Sequence, residues 1–284
     1  MNGPSLKFGT ALVSGKRKRG PAGRGASVNR TDTARQVAFD ILAGLGLLTR
    51  LPIRIDGERA AARGATAAWA WSLAGVAVGV LAGAVGAAAL ALGLAPGAAA
   101  VLVLATQAVV TGALHEDGLA DSADGLWGGW DKARRLAIMK DSHIGTYGVL
   151  ALVLVLLLRW TALATLCGLG TPWAVLIATG ALSRAPMAVL MATLPNARGS
   201  GLSQSVGRPD SATAGWAVGL ALAIGLLCLG WPAFGLAVLA ALVALAVGVI
   251  ARARIGGQTG DILGATQQLC EAALLTAAAA TLAA

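Results

Sequence analysis

Runs of about twenty apolar residues recur along this chain, and that recurrence limits the fold more than any other feature. Residues 67–94, 97–114, 148–168, 173–194, 214–231, 232–250 and 265–283 each approach the length a helix needs to cross a hydrocarbon core. The runs are continuous in Ala, Leu and Val rather than alternating, which argues against the strands of a membrane barrel. Charged residues make up 12% of the chain, about half the share of a soluble domain. The expected fold class is all-α, a polytopic transmembrane helical bundle of about seven spans, with 214–250 divided only at Gly230-Trp231-Pro232.

The basic residues orient the bundle. Of the 22 Lys and Arg, twelve fall in residues 1–63, and Lys132, Arg134, Arg135 and Lys140 follow the second span. Arg198 and Arg208 follow the fourth span, and Arg252 and Arg254 the sixth, whereas 93–97, 168–172 and 230–232 carry no charge. Such alternation places the N-terminus on the cytoplasmic side and the C-terminus outside.

Residues 1–33 read as a disordered basic tail, Gly/Arg-rich over 14–30 and suited to anionic lipid. Residues 34–284 read as one integral membrane domain. The tail is an ordinary basic flank of a span, so no nucleic acid is expected as a partner; the bilayer is. No secretory leader is expected, because the apolar stretch 8–15 is short and the basic cluster follows it. Segment 34–53 is apolar but punctuated by Arg35, Asp40 and Arg50, as in an interfacial or re-entrant helix. Gly75, Gly79 and Gly83 form a stripe for close helix approach. Cys167, Cys228 and Cys270 are isolated in apolar segments and read as small hydrophobes.

Against this background the acids stand out. Of 13 Asp and Glu, Glu116, Asp117, Asp121 and Asp124 lie within 115-HEDGLADSADG-125. A helix would gather them into an arc of roughly 140°. Like charges at ~6 Å repel by about 3 kcal/mol per pair at an effective dielectric of 20. A counter-charge is needed, and oxygen-only donors suit Mg²⁺ far better than Zn²⁺. A solvated acidic cap balancing Lys132, Arg134 and Arg135 is the plainer alternative.

Three further groups carry chemical potential. In 139-MKDSHIGTYG-148, Lys140 and the backbone N–H groups suit phosphate, and Asp141 adds a carboxylate or works with His143 in proton transfer. Helix capping would explain part of that motif. Arg159 and Arg184 lie within spans, where each costs roughly 2.5–3.5 kcal/mol on insertion scales. Arg184 is expected within reach of an anionic substrate; Arg159, deeper, reads equally as structural or functional. In 256-GGQTGDILGATQQ-268, Gly257 and Thr259 are candidate substrate contacts and Asp261 another acid. By topology all these groups converge on one face of the bundle.

At these residues the chain resembles the cobalamin synthase family, the adenosylcobinamide-GDP ribazoletransferases. The likeness runs from 36-QVAFDILAGLGLLTRLPI-53 to 256-GGQTGDILGATQQ-268. It is most specific in 115-HEDGLADSADGLWGG-129 followed by 140-KDSHIGTYGVLALVL-154. The resemblance implies that adenosylcobinamide-GDP and α-ribazole, or its 5′-phosphate, are joined to adenosylcobalamin, or its 5′-phosphate, with release of GMP. It also implies Mg²⁺ dependence and residence in the bacterial inner membrane. On that reading Asp117, Asp121 and Asp124 hold the metal, Glu116 is a fourth ligand or supports them, and Asp261 completes the acid shell. Lys140 and Arg184 neutralise phosphate oxygens, and Asp141 or His143 handles the hydroxyl proton. A homo-oligomer is compatible with this reading.

A partial likeness to CDP-alcohol phosphotransferases ends at Leu126-Trp127-Gly128-Gly129, so it stands as an analogy of mechanism. The competing class is a transporter or cation channel, for which acids inside the membrane are expected. The spans contain only Glu271. A scaffold for corrinoid enzymes is the third reading.

Overall fold

A computed structural model of the protein describes residues 30–170 and 172–283. The expected tail falls outside the described residues except for its last four positions, which open the first helix. Among the described residues there is no strand, only an isolated bridge between Asn196 and Gln258.

The chain begins with α1 (Arg30–Leu48), α2 (Gly57–Arg63) and a 3-10 stretch, Gly64–Ala70, that runs into α3 (Trp71–Ala91). Asp40 explains how α1 is fixed. It is 2% exposed, yet it accepts from Arg63 Nε and Nη2 at 2.8 and 2.6 Å, Trp69 Nε1 at 3.1 Å and Gln36 Nε2 at 2.8 Å. Burial alone would raise its pKa, but these donors hold the carboxyl below its ordinary range. The punctuating charge of α1 is thus an anchor.

Next come α4 (Pro96–Thr111), α5 (Leu114–Gly128), α6 (Lys132–Ile138), α7 (Thr146–Gly168) and α8 (Trp173–Thr193). The bundle closes with α9 (Leu202–Val206), α10 (Ser211–Leu229), α11 (Pro232–Ile255) and α12 (Gly260–Leu282). The glycine stripe of α3 meets α8 backbone to backbone. A Cβ on Gly75 would lie 1.9 Å from the Gly180 carbonyl oxygen, and one on Gly79 would lie 2.5 Å from that of Leu176. Any side chain here would drive the two helices apart.

Five segments are long and apolar enough to span a membrane, or six if α4 and α5 count as one bent pair. The expected seven differ from this for a physical reason. α4 has 16 residues, and the chain then bends by 89° into α5, so α5 turns away from the line of α4 rather than continuing its span. α12 carries Thr266, Gln267, Gln268 and Glu271, which lower its mean hydropathy. They are buried, because α12 packs against α5, α7, α8 and α11 and turns its polar groups inward.

The charged loops share one end. Gln258 N donates to Pro195 O and Ala197 N to Gln258 O, and Arg135 Nη1 reaches Arg254 O at 3.0 Å. The loop after α8 is thereby tied to the α11–α12 connection, and α6 to the last turn of α11.

Candidate functional site

Two glycines decide where the acids meet. A Cβ on Gly118 of α5 would lie 2.9 Å from the Asp261 carbonyl oxygen, and one on Gly264 of α12 would lie 3.3 Å from the Gly118 Cα. This crossing puts Asp117 and Asp121 beside Asp261, close enough for their charges to act on one another. Burial, and then the charges of Asp117 and Asp261, push the Asp121 carboxyl up to about 7. Arg198, from the loop after α8, donates through Nη2 to Asp261 Oδ2 at 2.7 Å.

Asp117, Asp261 and Arg198 border a cleft of about 130 Å³, with Asp121 beside them. Its polar wall carries His115, Asp117, Arg198, Ser203 and Asp261; its apolar wall is built from Leu47, Leu48, Trp71, Met187 and Met191. His115 is 1% exposed, and neither ring nitrogen has a hydrogen-bond partner.

Beneath the acids lies a buried polar network. Arg159 Nη2 donates to Gln107 Oε1 at 2.8 Å, and Gln107 Nε2 to Glu271 Oε1 at 2.7 Å. Arg159 also donates to Gln268, and Gln267 to Glu271. Gln268 Nε2 donates to Glu116 Oε1 at 3.1 Å. Arg159 stands 3.6 Å from both Glu116 and Glu271. Arg184, 1% exposed, donates to Gly180 O at 3.0 Å and sits in the field of the same two glutamates.

The structure therefore sorts the sequence candidates. Asp117, Asp121 and Asp261 come together. Asp124 is adjacent, but its two oxygens accept Gly145 N at 2.7 Å and Gly148 N at 2.9 Å. It caps α7, and those two glycines are required because a Cβ on either would lie 2.4 Å from an Asp124 oxygen. Glu116 turns away from the acid trio into the network.

Arg184 is sealed from solvent rather than presented to it. Gly257 is pressed against Pro195, where a Cβ would meet the carbonyl oxygen at 2.1 Å. Thr259 caps α12, accepting from Ile262 N and donating to Asp261 Oδ2 at 3.2 Å. Lys140, Asp141 and His143 stand on the exposed loop before α7. There His143 Nδ1 pairs with Asp141 Oδ1 at 2.7 Å. That hydrogen bond lowers the Asp141 pKa and raises that of His143. No hydrogen bond or ion pair joins these three to the acid trio among the described residues.

Sequence reasoning used Arg198 only for orientation and left His115, Gln107, Gln267 and Gln268 unassigned. A signal was present for the network: an arginine inside a span calls for buried partners, and 267-QQLCE-271 is the polar segment of an otherwise apolar helix. Glu271 was the isolated acid of that reading; the structure pairs it with Arg159.

Among the described residues, no three acid, histidine or cysteine side chains enclose a cation site by themselves. Magnesium does not require that, because it takes one or two carboxylates together with water and substrate phosphates. An oxygen-only trio, one of whose members holds a proton up to about 7, fits a hard cation arriving with a phosphate.

A family profile described as Cobalamin-5-phosphate synthase matches residues 40–279. The chain belongs to that family. Relatives named adenosylcobinamide-GDP ribazoletransferase include one from Bradyrhizobium diazoefficiens, 44% identical over 88% of this chain and 96% of the relative. One from Sinorhizobium is 43% identical over 85% and 96%, and one from Rhizobium etli is 48% identical over 66% and 75%. No solved structure matches. As a member of the cobalamin-5-phosphate synthase family, the protein is a transferase of cobalamin synthesis, carried on a helical, membrane-compatible bundle. The matched region contains every candidate site residue, and residues 1–39 lie outside it.

Proposed function

We propose that the protein is an adenosylcobinamide-GDP ribazoletransferase of the bacterial inner membrane, dependent on Mg²⁺, with its site on the cytoplasmic side. The observation that carries this reading is the meeting of Asp117, Asp261 and Arg198 at one cleft, with Asp121 close enough to feel the charges of both acids. The cytoplasmic placement rests on the basic residues that share this end of the bundle.

The reaction forms a bond from a hydroxyl oxygen of α-ribazole, or its 5′-phosphate, to the phosphorus that bears cobinamide. The bond from that phosphorus to GMP breaks, and GMP leaves with its charge. Positioning and electrostatic stabilisation supply most of the acceleration in such transfers. Two of Asp117, Asp121 and Asp261 would hold Mg²⁺, which, when bound, neutralises the pyrophosphate and stabilises the entering and leaving oxygens. The carboxylate of the trio left free is placed to accept the hydroxyl proton. Asp141 and His143 touch each other and nothing of the cleft, so proton transfer is assigned to the trio.

Arg198 replaces Arg184 as the cation for non-bridging oxygens, since it borders the cleft and Arg184 is enclosed. Glu116 and Asp124 act as support, one through Gln268 and Arg159 and the other through the start of α7. The channel reading loses its basis, because Glu271, the acid within the spans, is paired with Arg159 and lies in the field of Arg184. Product analysis with purified protein in lipid, Mg²⁺, the GDP-linked donor and each acceptor tests the assignment. One GMP is expected per cobalamin product, and product formation independent of the donor's nucleotide would refute it.

A further inference from the structure

The cleft has two unlike walls, and the reaction's two substrates are unlike in the same way. One wall, from the end of α1, the start of α3 and the last turns of α8, presents Leu47, Leu48, Trp71, Met187 and Met191. The facing wall, from α5, α12 and the loop after α8, presents the acids, Arg198 and His115. A ring and two thioethers suit the face of a flat heterocycle, since methionine sulfur and aromatic edges both favour such contact.

His115 is the second observation. A side chain that is 1% exposed with both ring nitrogens unpartnered is costly unless a ligand satisfies it. It borders the cleft on the side of the buried arginines, whose charges reach it, so a hydroxyl that enters between His115 and the acids would satisfy it.

The geometry points to this cleft as the acceptor site, with the flat base of an apolar nucleoside against Trp71, Met187 and Met191 and its sugar hydroxyl held by His115. The inference rests on the transferase reading and deepens it. The acceptor, α-ribazole, joins a largely apolar benzimidazole to a ribosyl unit, and its polar half would then face Asp117 and Asp261. The bulky corrinoid and the guanosine would approach from outside the cleft. Ser203, at the loop side, is where a 5′-phosphate on the acceptor would be met, which leaves Arg198 to the donor pyrophosphate. His115 is a positioning residue in this scheme, since it orients the hydroxyl and takes no part in bond making.

The test measures α-ribazole binding by calorimetry, without donor, to full-length protein in lipid nanodiscs, together with the KM of each substrate. Met191→Trp, which fills the apolar wall, is expected to weaken α-ribazole binding and raise its KM about tenfold or more. The donor KM should stay within about twofold, because only one subsite is filled. Met187→Trp and Trp71→Ala serve as independent variants should Met191→Trp not fold. His115→Phe should lower acceptor affinity similarly, and His115→Gln, which restores a donor and an acceptor, should recover most of it. A rise in donor KM with acceptor binding unchanged, or no change in either, would overturn the assignment. Wild-type protein that releases no GMP would instead overturn the transferase reading and this inference with it.

Discussion

Arg198 Nη2 donates to Asp261 Oδ2 at 2.7 Å, joining the loop after α8 to the first turn of α12 at the mouth of the cleft. Both partners are partly exposed, with side-chain exposures of 18% and 19%, so the pair can open toward an arriving anion. In the proposed mechanism the pair keeps a cation beside the acids until a pyrophosphate takes it. Arg198→Ala is expected to reduce kcat/KM for the GDP-linked donor by about 100-fold or more, the range seen when one transition-state donor is lost. Arg198→Lys should recover part of that, because a point charge remains while the planar fork is lost. Steady-state kinetics with varied donor measures both.

Asp121 sets the pH response. Its carboxyl takes up a proton near pH 7 in the metal-free protein, and a bound cation requires it ionised. Magnesium affinity should therefore strengthen as pH rises toward 7, by about tenfold per unit, and level off above it. Magnesium titrations at a series of pH values, read by calorimetry, check this. A half-saturation constant that does not change across the range would remove Asp121 from the metal shell.

The motif that contains Asp121 and Asp124 is split by role, and stability separates the two. Asp124 accepts two backbone N–H groups at the start of α7, bonds that for a charged acceptor contribute about 1.5–3 kcal/mol each. Asp124→Ala should lower the thermal midpoint strongly. For Asp121 the sign is opposite. Its folded pKa is raised above the unfolded value, so its contribution to stability is most favourable below the unfolded pKa and declines as pH rises to about 7. Asp121→Asn should therefore unfold no more easily than the parent in metal-free buffer at pH 8. Thermal unfolding of both variants in detergent tests the contrast.

How much of this was legible beforehand depended on whether the physics was local. The helical bundle and the α3 glycine stripe follow from periodicity and composition, and the structure builds both, with five or six candidate spans where seven were expected. Of the acid cluster it keeps Asp117 and Asp121 together and turns Glu116 and Asp124 to other partners. Asp124 escaped because its partners, Gly145 and Gly148, are 21 and 24 residues away, beyond any capping pattern read within one helix. Glu271 looked isolated because hydropathy does not say which helices touch; α12 is placed against α7 and α5, and only then do Arg159 and Glu116 become its neighbours. His143 and Asp141 looked catalytic by residue type, yet they satisfy each other on an exposed turn. His115 carried no pattern at all, being one imidazole whose significance lies in lacking a partner.

The Arg159 network yields a stability prediction of its own. Removing one side of a buried ion pair strands the other, at a cost of about 3–5 kcal/mol, whereas replacing both with apolar groups is far milder. Arg159→Leu and Glu271→Leu should each destabilise the protein severely, and the double variant should be markedly more stable than their sum implies. Unfolding midpoints of the two single variants and the double variant in detergent form the cycle. Additive losses would show that the two side chains act separately.

The central claim is that Asp117, Asp121 and Asp261, brought together across the Gly118–Gly264 crossing, form the place where the pyrophosphate is cleaved. Asp261 tests it best, since it lies far from the acid motif in sequence and only the fold unites them. The measurement is the rate of GMP release by Asp261→Asn in lipid at saturating Mg²⁺, beside its thermal midpoint. The account predicts a fall of about 100-fold or more with the midpoint kept within a few degrees. Release at the parental rate by a folded Asp261→Asn protein would contradict it.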